Sequence, residues 1–544
     1  MMQMQNAYGQ KTTIEKGFNP AVTKMGAKKK KEQTRSFGLA GLLKGLLVLV
    51  LTASVLFGVL VAISAFGERG RFAIPKIIIP SLGHMIPRVP DKGSVPEDPS
   101  EPQEVDESQK KSEEPSTGDE SFNNLLEKKK ELAEKELRRQ EIAKEFPLFA
   151  AAYPEFDLRY LHARVYDKPG ANAKVIGYLR RGTIVRAKEA VSSSNCGGGD
   201  WHPIEGGGYI CSGFGYVVKE TPPKLDHEQK KPDTSKSVPF DYFVPTENRK
   251  PLLRRLPTLE ELPIVEKARE RKAQWPKNML ARRMAGFFRL SGDRKYKVGQ
   301  KTYLRTILGN FVDWEDIEPV AEPEMKGVFL DDMSRLPMAF VFEKARKTYV
   351  MEGDELVEKG ELPKHARFHV ESTFKKGKKA YVAAPNGIII PREHVRIAEK
   401  IPPLKRISGD EKWIHIDLGQ QALVAYEGKK PVFTTLVSSG MKGYSTPRGT
   451  FAVDKKYVTT TMSGDDPVEG HYRVEDVPWT LFYWGSYALH GAYWHNDFGI
   501  ARSHGCTNVS PFDAKWLYEW CEPPVPPRWH ARIRASGTVI HYTR

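Results

Sequence analysis

Short apolar runs alternate with polar residues and glycine along most of the chain beyond residue 156, a pattern typical of half-buried β-strands. In the last third of the chain, polar turns separate these runs, which occupy residues 414–416, 422–426 and 431–437. The pattern therefore predicts a mainly β fold.

A helical pattern interrupts the strands near the C-terminus. Ser510 is suited to cap a helix and Pro511 to occupy its first position. The residues that follow at helical spacing are Trp516, Leu517, Trp520 and Cys521. We expect this helix to pack behind the loop that precedes it.

Upstream, the strand pattern is grouped into two regions. Residues 156–220 carry small strands broken by glycine, which predicts a compact barrel, and residues 284–397 repeat the order in outline. Residues 221–283 begin with a Pro- and Lys-rich run and are expected to link them. Residues 68–155 predict a solvated linker with a charged helix at 125–146.

One uncharged apolar run stands apart from this pattern. Residues 45–67 are long enough to span a bilayer, and they follow a basic tail at 1–44. This asymmetry predicts an uncleaved transmembrane helix with its N-terminus in the cytoplasm and everything after Glu68 outside. A cleaved signal peptide is the alternative, but the run is long for a signal-peptide core.

Length and charge narrow the class of protein. The 544 residues are too many for one ordinary domain, and the net charge of +16 favours anionic surroundings such as a bacterial envelope. Nucleic acid is the rival partner. No zinc-finger, helix-turn-helix or stacking motif accompanies the charge, so we expect no nucleic-acid binding.

Candidate chemistry is concentrated near the C-terminus. Cys506 is framed by small residues, and His490 stands sixteen positions before it. A thiol becomes a strong nucleophile when a neighbouring imidazole takes its proton. Gly505 would let backbone N–H groups approach a reacting carbonyl. Zinc is the competing interpretation of His490, His495, His504 and Cys506, but the spacing matches no common zinc pattern. We expect neither a metal nor a cofactor.

The order Ser503-His504-Gly505-Cys506-Thr507-Asn508 after His490-Gly491 resembles the L,D-transpeptidase catalytic domain of the YkuD type. Residues 445–451 resemble another segment of that family, and the resemblance covers about residues 410–544. It implies a β-sandwich in which His490 is the general base and Cys506 the nucleophile. Backbone N–H groups around residues 504–506 would form the oxyanion hole. The residues expected to support the site or border the cleft are Ser503, His504, Gly505, Gly491, Asn508, Tyr483 and Tyr493.

The resemblance implies acyl transfer on peptidoglycan stem peptides. Cys506 would attack the carbonyl before a terminal D-amino acid, and an amine from a neighbouring stem or a lipoprotein would resolve the thioester. Resolution by water would make the protein a carboxypeptidase or hydrolase. A noncatalytic wall-binding scaffold is the alternative from another class. The implied location is the bacterial inner membrane, crossed once, with the bulk of the chain in the periplasm or cell-wall space.

The region 156–220 resembles bacterial Src-homology-3-like domains. In an exported protein, Cys196 and Cys211 within it are expected to form a disulfide. A Cys506–Cys521 bridge is open on the sequence alone, although it would silence the nucleophile. The upstream modules contain no catalytic constellation, so we expect them to place the enzyme without contributing to its chemistry.

Overall fold

The computed structural model describes residues 118–153, 162–224, 229–466, 470–533 and 536–544. The predicted basic tail (1–44) and membrane segment (45–67) lie outside these residues. Among the helices of the described ranges, none combines the length and apolar character that crossing a bilayer requires. The charged helix expected at 125–146 is observed as α1 (Gly118–Glu145).

The first β module contains two antiparallel sheets. Its described strands are β1 (Leu148–Ala152), β2 (His162–Tyr166), β3 (Val175–Arg180), β4 (Ile184–Ala187), β5 (Trp201–Pro203), β6 (Tyr209–Cys211) and β7 (Tyr216–Lys219). One sheet has the order β4–β1–β7 and the other includes β3–β2–β6–β5. β1 falls in the segment expected as linker, but Ala150, Ala151 and Ala152 are fully buried, so this run is a core strand.

The second β module corrects the predicted linker at 221–283. Its elements are β8 (Asp241–Pro245), β9 (Pro251–Leu253), α2 (Leu262–Arg269), β10 (Leu280–Arg283), β11 (Phe287–Val298), β12 (Lys301–Thr306), β13 (Phe311–Asp313), a 3₁₀ turn (Trp314–Asp316) and β14 (Ile317–Pro319). Phe243 and Leu252 pack in one core with Phe288 and Leu290. These apolar residues are short runs among prolines and basic residues, which is why the segment has the composition of a linker.

The third β module accounts for the rest of the region expected at 284–397, which is therefore two modules rather than one. Strand β15 (Val328–Phe329) precedes this module and joins a sheet of the C-terminal region. The strands of the module are β16 (Met338–Val341), β17 (Arg346–Glu352), β18 (Glu355–Leu362), β19 (Arg367–His369), β20 (Ser372–Lys376), β21 (Lys379–Ala383), β22 (Ile389–Pro391) and β23 (Val395–Ala398), with a 3₁₀ turn at Arg392–His394. Two sheets, β19–β16–β23 and β18–β17–β22–β21–β20, enclose a core that includes Val341, Val382 and Ile390.

The C-terminal region forms a two-layer sandwich. Its elements are β24 (Lys412–Asp417), β25 (Ala422–Glu427), β26 (Lys430–Leu436), β27 (Gly449–Ala452), β28 (Lys455–Asp466), β29 (Gly470–Trp484), β30 (Tyr487–Gly491), β31 (Thr507–Val509), α3 (Pro511–Trp520), β32 (Ala531–Ile533) and β33 (Val539–Thr543). The sheet β15–β26–β25–β24–β33–β27 supplies Ile414 and Leu423 to the main core, the second layer supplies Trp479 and Leu489, and α3 supplies Leu517.

Helix α3 begins where the sequence predicts. The Ser510 Oγ accepts a hydrogen bond of 3.2 Å from the Asp513 N–H, and Pro511 follows the cap. Because β31 leads directly into this helix, the cap also fixes the end of the strand that follows Cys506.

Strands from different modules join one continuous sheet. β11 of the second module pairs in parallel with β29, and β32 pairs with both β28 and β3 of the first module. At the β3–β32 contact, a Cβ at Gly177 would lie 2.4 Å from the Trp529 ring. Glycine is required there because no larger residue fits at that distance.

Candidate active site

Cys506 and His490 are brought together by two neighbouring parallel strands. His490 lies in β30 opposite Asn508 of β31, and Cys506 immediately precedes β31. Both side chains are buried, and both line a cavity of about 490 Å³. The sheet register therefore places a thiol and an imidazole in the lining of one cavity.

Burial sets the protonation of this pair. Loss of solvation raises the pKa of the Cys506 thiol to about 11, an effect that a hydrogen bond with the Ala488 backbone partly opposes. Loss of solvation lowers the pKa of His490 to about 4, which a hydrogen bond with the Gly491 backbone partly opposes. Between these values the resting site holds a neutral thiol and a neutral base.

The backbone also selects the tautomer of His490. Its Nδ1 lies 3.4 Å from the Gly491 carbonyl oxygen, which can only accept a hydrogen bond. The proton of the neutral ring is therefore on Nδ1, and Nε2 keeps its lone pair. The ring also lies 5.7 Å from that of Trp494, centroid to centroid, which limits its rotation. The arrangement suits a general base.

Ser503 holds the turn that carries the cysteine. Its Oγ accepts a hydrogen bond of 3.1 Å from the Gly505 N–H and donates a short one to the Cys506 carbonyl oxygen. The Gly505 N–H is therefore engaged within the turn, which corrects its assignment to the oxyanion hole. Thr446 donates to the Gly505 carbonyl oxygen at 2.9 Å, a supporting role that sequence reasoning missed.

His504 and Asn508 flank the cysteine differently. His504 lines the cavity, and its ring stacks on that of Tyr472 with a centroid separation of 5.2 Å. The Asn508 side-chain amide lies 2.9 Å from Nε2 of His495, a cavity residue that the sequence offered only as a zinc ligand. In the described ranges, no three His, Cys, Asp or Glu side chains converge to hold a metal ion.

The two tyrosines expected at the cleft do not line this cavity. Tyr483 is buried in the main core, where its ring lies 5.1 Å from that of Tyr542. Tyr493 stacks on Tyr242 of the second module at 3.7 Å, and its hydroxyl donates to the Glu475 carbonyl oxygen at 2.9 Å. Both tyrosines are therefore core residues and do not face the cavity. The sequence alone cannot distinguish these roles, because a tyrosine suits a buried core as well as a binding cleft.

Residues from the second β module do line the cavity. Phe287 and Arg289 of β11 share it with Cys506 and His490. This corrects the expectation that the upstream modules stay outside the active site. The sequence gives no indication that these residues line the cavity, because the β11–β29 pairing joins segments about 185 residues apart.

The remaining cysteines are apart from this chemistry. Cys196, in the loop between β4 and β5, forms the predicted disulfide with Cys211 of β6. Cys521 is a buried free thiol, so the bridge to Cys506 left open by the sequence is not formed.

The family of the C-terminal region follows from sequence comparison. Residues 411–539 match the family model of the YkuD L,D-transpeptidase catalytic domain. YciB of Bacillus subtilis (strain 168), which is named provisionally as an L,D-transpeptidase, is 28% identical over 126 residues. The match covers 20% of this chain and 59% of YciB, so the chain spans about three fifths of that relative. Residues 411–539 are therefore a domain of the L,D-transpeptidase family.

The chain also shows partial similarity to solved L,D-transpeptidase structures. An L,D-transpeptidase variant from Enterococcus faecium is 23% identical, with 25% of this chain and 50% of that chain covered and a TM-score of 0.21. An L,D-transpeptidase from Xylanimonas cellulosilytica is 28% identical, with 26% and 65% covered and a TM-score of 0.17. The assignment of residues 411–539 to the L,D-transpeptidase family rests on the family model.

Proposed function

We propose that this protein is a cysteine-dependent peptidoglycan L,D-transpeptidase. The observation that carries the proposal is the shared burial of Cys506 and a neutral His490 in one cavity of the family domain. The substrate is a stem peptide, and the acceptor is an amine from a neighbouring stem or from a lipoprotein.

The resting protonation shapes the chemistry. With the thiol pKa at about 11 and the imidazole pKa at about 4, proton transfer in the empty site is unfavourable. Nε2 of His490 therefore takes the thiol proton as the sulfur attacks the carbonyl carbon before the terminal D-amino acid. The same proton then passes to the departing amine, and a thioester remains on Cys506. Attack by the acceptor amine, with His490 again as base, releases the enzyme.

Water in place of the amine would give a carboxypeptidase or hydrolase with the same residues. The cavity lining includes the apolar side chains of Met441, Met462, Val474 and Trp494, which offer a peptide acceptor a contact surface that water does not need. We therefore propose transpeptidation, rather than hydrolysis, as the main reaction.

The proposed location is based on the sequence pattern alone. We propose that residues 45–67 anchor the chain in the bacterial inner membrane, with the β modules in the periplasm. The first module, with its small sheets and disulfide, would be a Src-homology-3-like domain that contributes to holding the wall. The net charge of +16 suits contact with an anionic wall.

Mass spectrometry of the full chain incubated with a tetrapeptide tests the reaction. We expect a thioester adduct on Cys506 and its absence in Cys506→Ala, with both proteins folded. Cys521→Ser is the matched control, because it removes the other free thiol and should keep the adduct. An adduct that persists in Cys506→Ala would overturn the assignment, and a folded wild type that forms none would favour the scaffold. The mass of the released product distinguishes cross-linking from hydrolysis.

A further inference from the structure

Two walls of the active-site cavity come from different modules. Phe287 and Arg289 belong to β11, which runs parallel to β29 with Arg289 opposite Val474. Alternate residues of a strand face opposite sides, so Phe287 and Arg289 share a face and Phe288 points away. Accordingly Phe288 is buried in the second module's own core, whereas Phe287 packs in a cluster that includes Cys506.

Arg289 is a half-buried cation with few partners. Its guanidinium lies 4.0 Å from the centre of the Phe287 ring, and its Nη1 donates to the Phe288 carbonyl oxygen at 2.7 Å. Burial lowers its pKa from the usual value, but a guanidinium stays charged at any physiological pH. Within the described residues, none of the ion pairs includes Arg289.

The rest of the cavity does not supply the missing anion. Its lining contains Arg289 and Arg502 but no Asp or Glu. Arg502 is paired at the rim with Asp497 at 3.2 Å, and the same carboxylate also binds Lys364 at 3.1 Å. Desolvation lowers the pKa of both His490 and His495 to about 4, so these rings add no charge at neutral pH. The cavity is therefore positively charged, and Arg289 is the lining cation for which the described residues supply no carboxylate.

We propose that Arg289 binds a carboxylate of the donor stem peptide and thereby selects carboxylate-bearing donors. The inference rests on the proposed function, because a donor cleaved before its last D-amino acid carries a free carboxylate on that residue. A guanidinium in a partly desolvated site holds a carboxylate through two parallel hydrogen bonds. Arg289 is thus a specificity-determining residue supplied by the second β module, and Phe287 gives the neighbouring peptide an apolar surface.

Binding to the Cys506→Ala chain tests this role without depending on turnover. Calorimetry compares a tetrapeptide with its C-terminal amide and with a form amidated at the internal carboxylates. We expect one amidation to weaken binding by roughly tenfold to a hundredfold, the range of a charge-assisted hydrogen-bond pair. The amidated peptide that binds more weakly shows whether Arg289 binds the terminal or an internal carboxylate.

Adding Arg289→Met should remove this preference, so that the free and amidated peptides bind within about threefold of each other. Lys297→Met is the matched control, since it removes a positive charge from an exposed position of the same strand and should keep the preference. A preference that survives Arg289→Met, or equal binding of all three peptides to the parent, overturns the proposal. Failure of the proposed function would appear separately, as no adduct on wild-type Cys506 despite selective binding.

Discussion

Arg180 of the first β module forms a buried ion pair with Asp476 of β29, with 3.1 Å between Nη1 and Oδ1. Both side chains are only 3% exposed. The second module joins the same cluster, because the Ser291 hydroxyl donates to Asp476 Oδ2 at 2.6 Å. Thr459 completes it with a hydrogen bond of 2.8 Å to Oδ1. One carboxylate thus connects three parts of the chain, and it lies on β29, the strand that also carries the cavity residues Tyr472 and Val474.

Removing the Asp476 carboxylate should strongly destabilise the folded chain. Asp476→Ala leaves the Arg180 charge buried without its partner, and we expect a loss of about 3–5 kcal/mol in the free energy of unfolding. Denaturant unfolding of the full chain measures the loss. Lys347→Met, which breaks an exposed pair with Glu358, is the control and should leave the unfolding midpoint in place. Equal midpoints for the two variants would show that the buried pair does not hold the modules.

The upstream modules should be necessary for catalysis, contrary to the sequence-based expectation. A chain of residues 410–544 lacks Phe287 and Arg289, and it lacks the edge strand β15 that pairs with β26. We expect it to unfold readily and to turn over a small tetrapeptide at least about tenfold more slowly than the full chain.

A chain of residues 229–544 is the matched comparison. It keeps both cavity residues of the second module and the β15 strand, and of the described elements it loses α1 and the first module with Arg180. We expect it to retain more activity than the shorter chain. A folded 410–544 fragment with full activity would show that the cavity wall from β11 is dispensable.

Local patterns in the sequence located the family domain and the helix that follows Cys506. The order of residues around Cys506 and His490 identified the family domain, and the Ser510-Pro511 helix start is confirmed. These signals succeed because a helix cap, a strand alternation or a short motif is encoded within about ten residues.

Long-range packing explains the rest. The ion pair of Arg180 with Asp476 joins residues 296 positions apart, and Arg289 enters the site through pairing with a distant strand. No periodicity reports such contacts. Likewise Tyr483 is of a residue type common in binding clefts, but it is buried. Whether an amphipathic ring lies in the core or in a cleft depends on the packing of the whole domain.

The disulfide should stabilise the first module. It closes a loop between residues 15 positions apart, so the double variant Cys196→Ser/Cys211→Ser should lose about 3 kcal/mol in the free energy of unfolding. Unfolding with and without a reductant measures this. The wild type should shift on reduction, whereas the double variant should not. A wild type that is indifferent to reductant would contradict the role of the bond.

Catalysis should persist to a lower pH than a histidine base with the usual pKa of 6.5 would allow. His490 must be neutral to accept the thiol proton, and its pKa is lowered from 6.5 to about 4 by burial. The acid limb of kcat/KM, which reports the free enzyme, should therefore fall near pH 4. Circular dichroism across the same range separates loss of base from unfolding. An acid limb centred near pH 6.5 would mean that His490 is solvated or is not the base.

Glu475 should make stability fall as pH rises. Burial is the main cause that raises its pKa from 4.5 to about 7, and the hydrogen bond from the Ser291 N–H at 3.2 Å only partly opposes it. The folded chain therefore holds a proton that the unfolded chain releases between pH 4.5 and pH 7. Unfolding is favoured as pH rises through that window, by on the order of 3 kcal/mol in total.

Glu475→Gln isolates this contribution, because the amide oxygen can still accept from Ser291 but the side chain cannot ionise. The wild type minus variant difference in unfolding free energy should decline from pH 4.5 to pH 8 by about 3 kcal/mol. Other shifted groups, such as Asp513 with its raised pKa of about 6, are present in both proteins and cancel in the difference. A difference that stays flat across this range would show that Glu475 is already ionised in the folded chain, held by Arg473 at 3.4 Å.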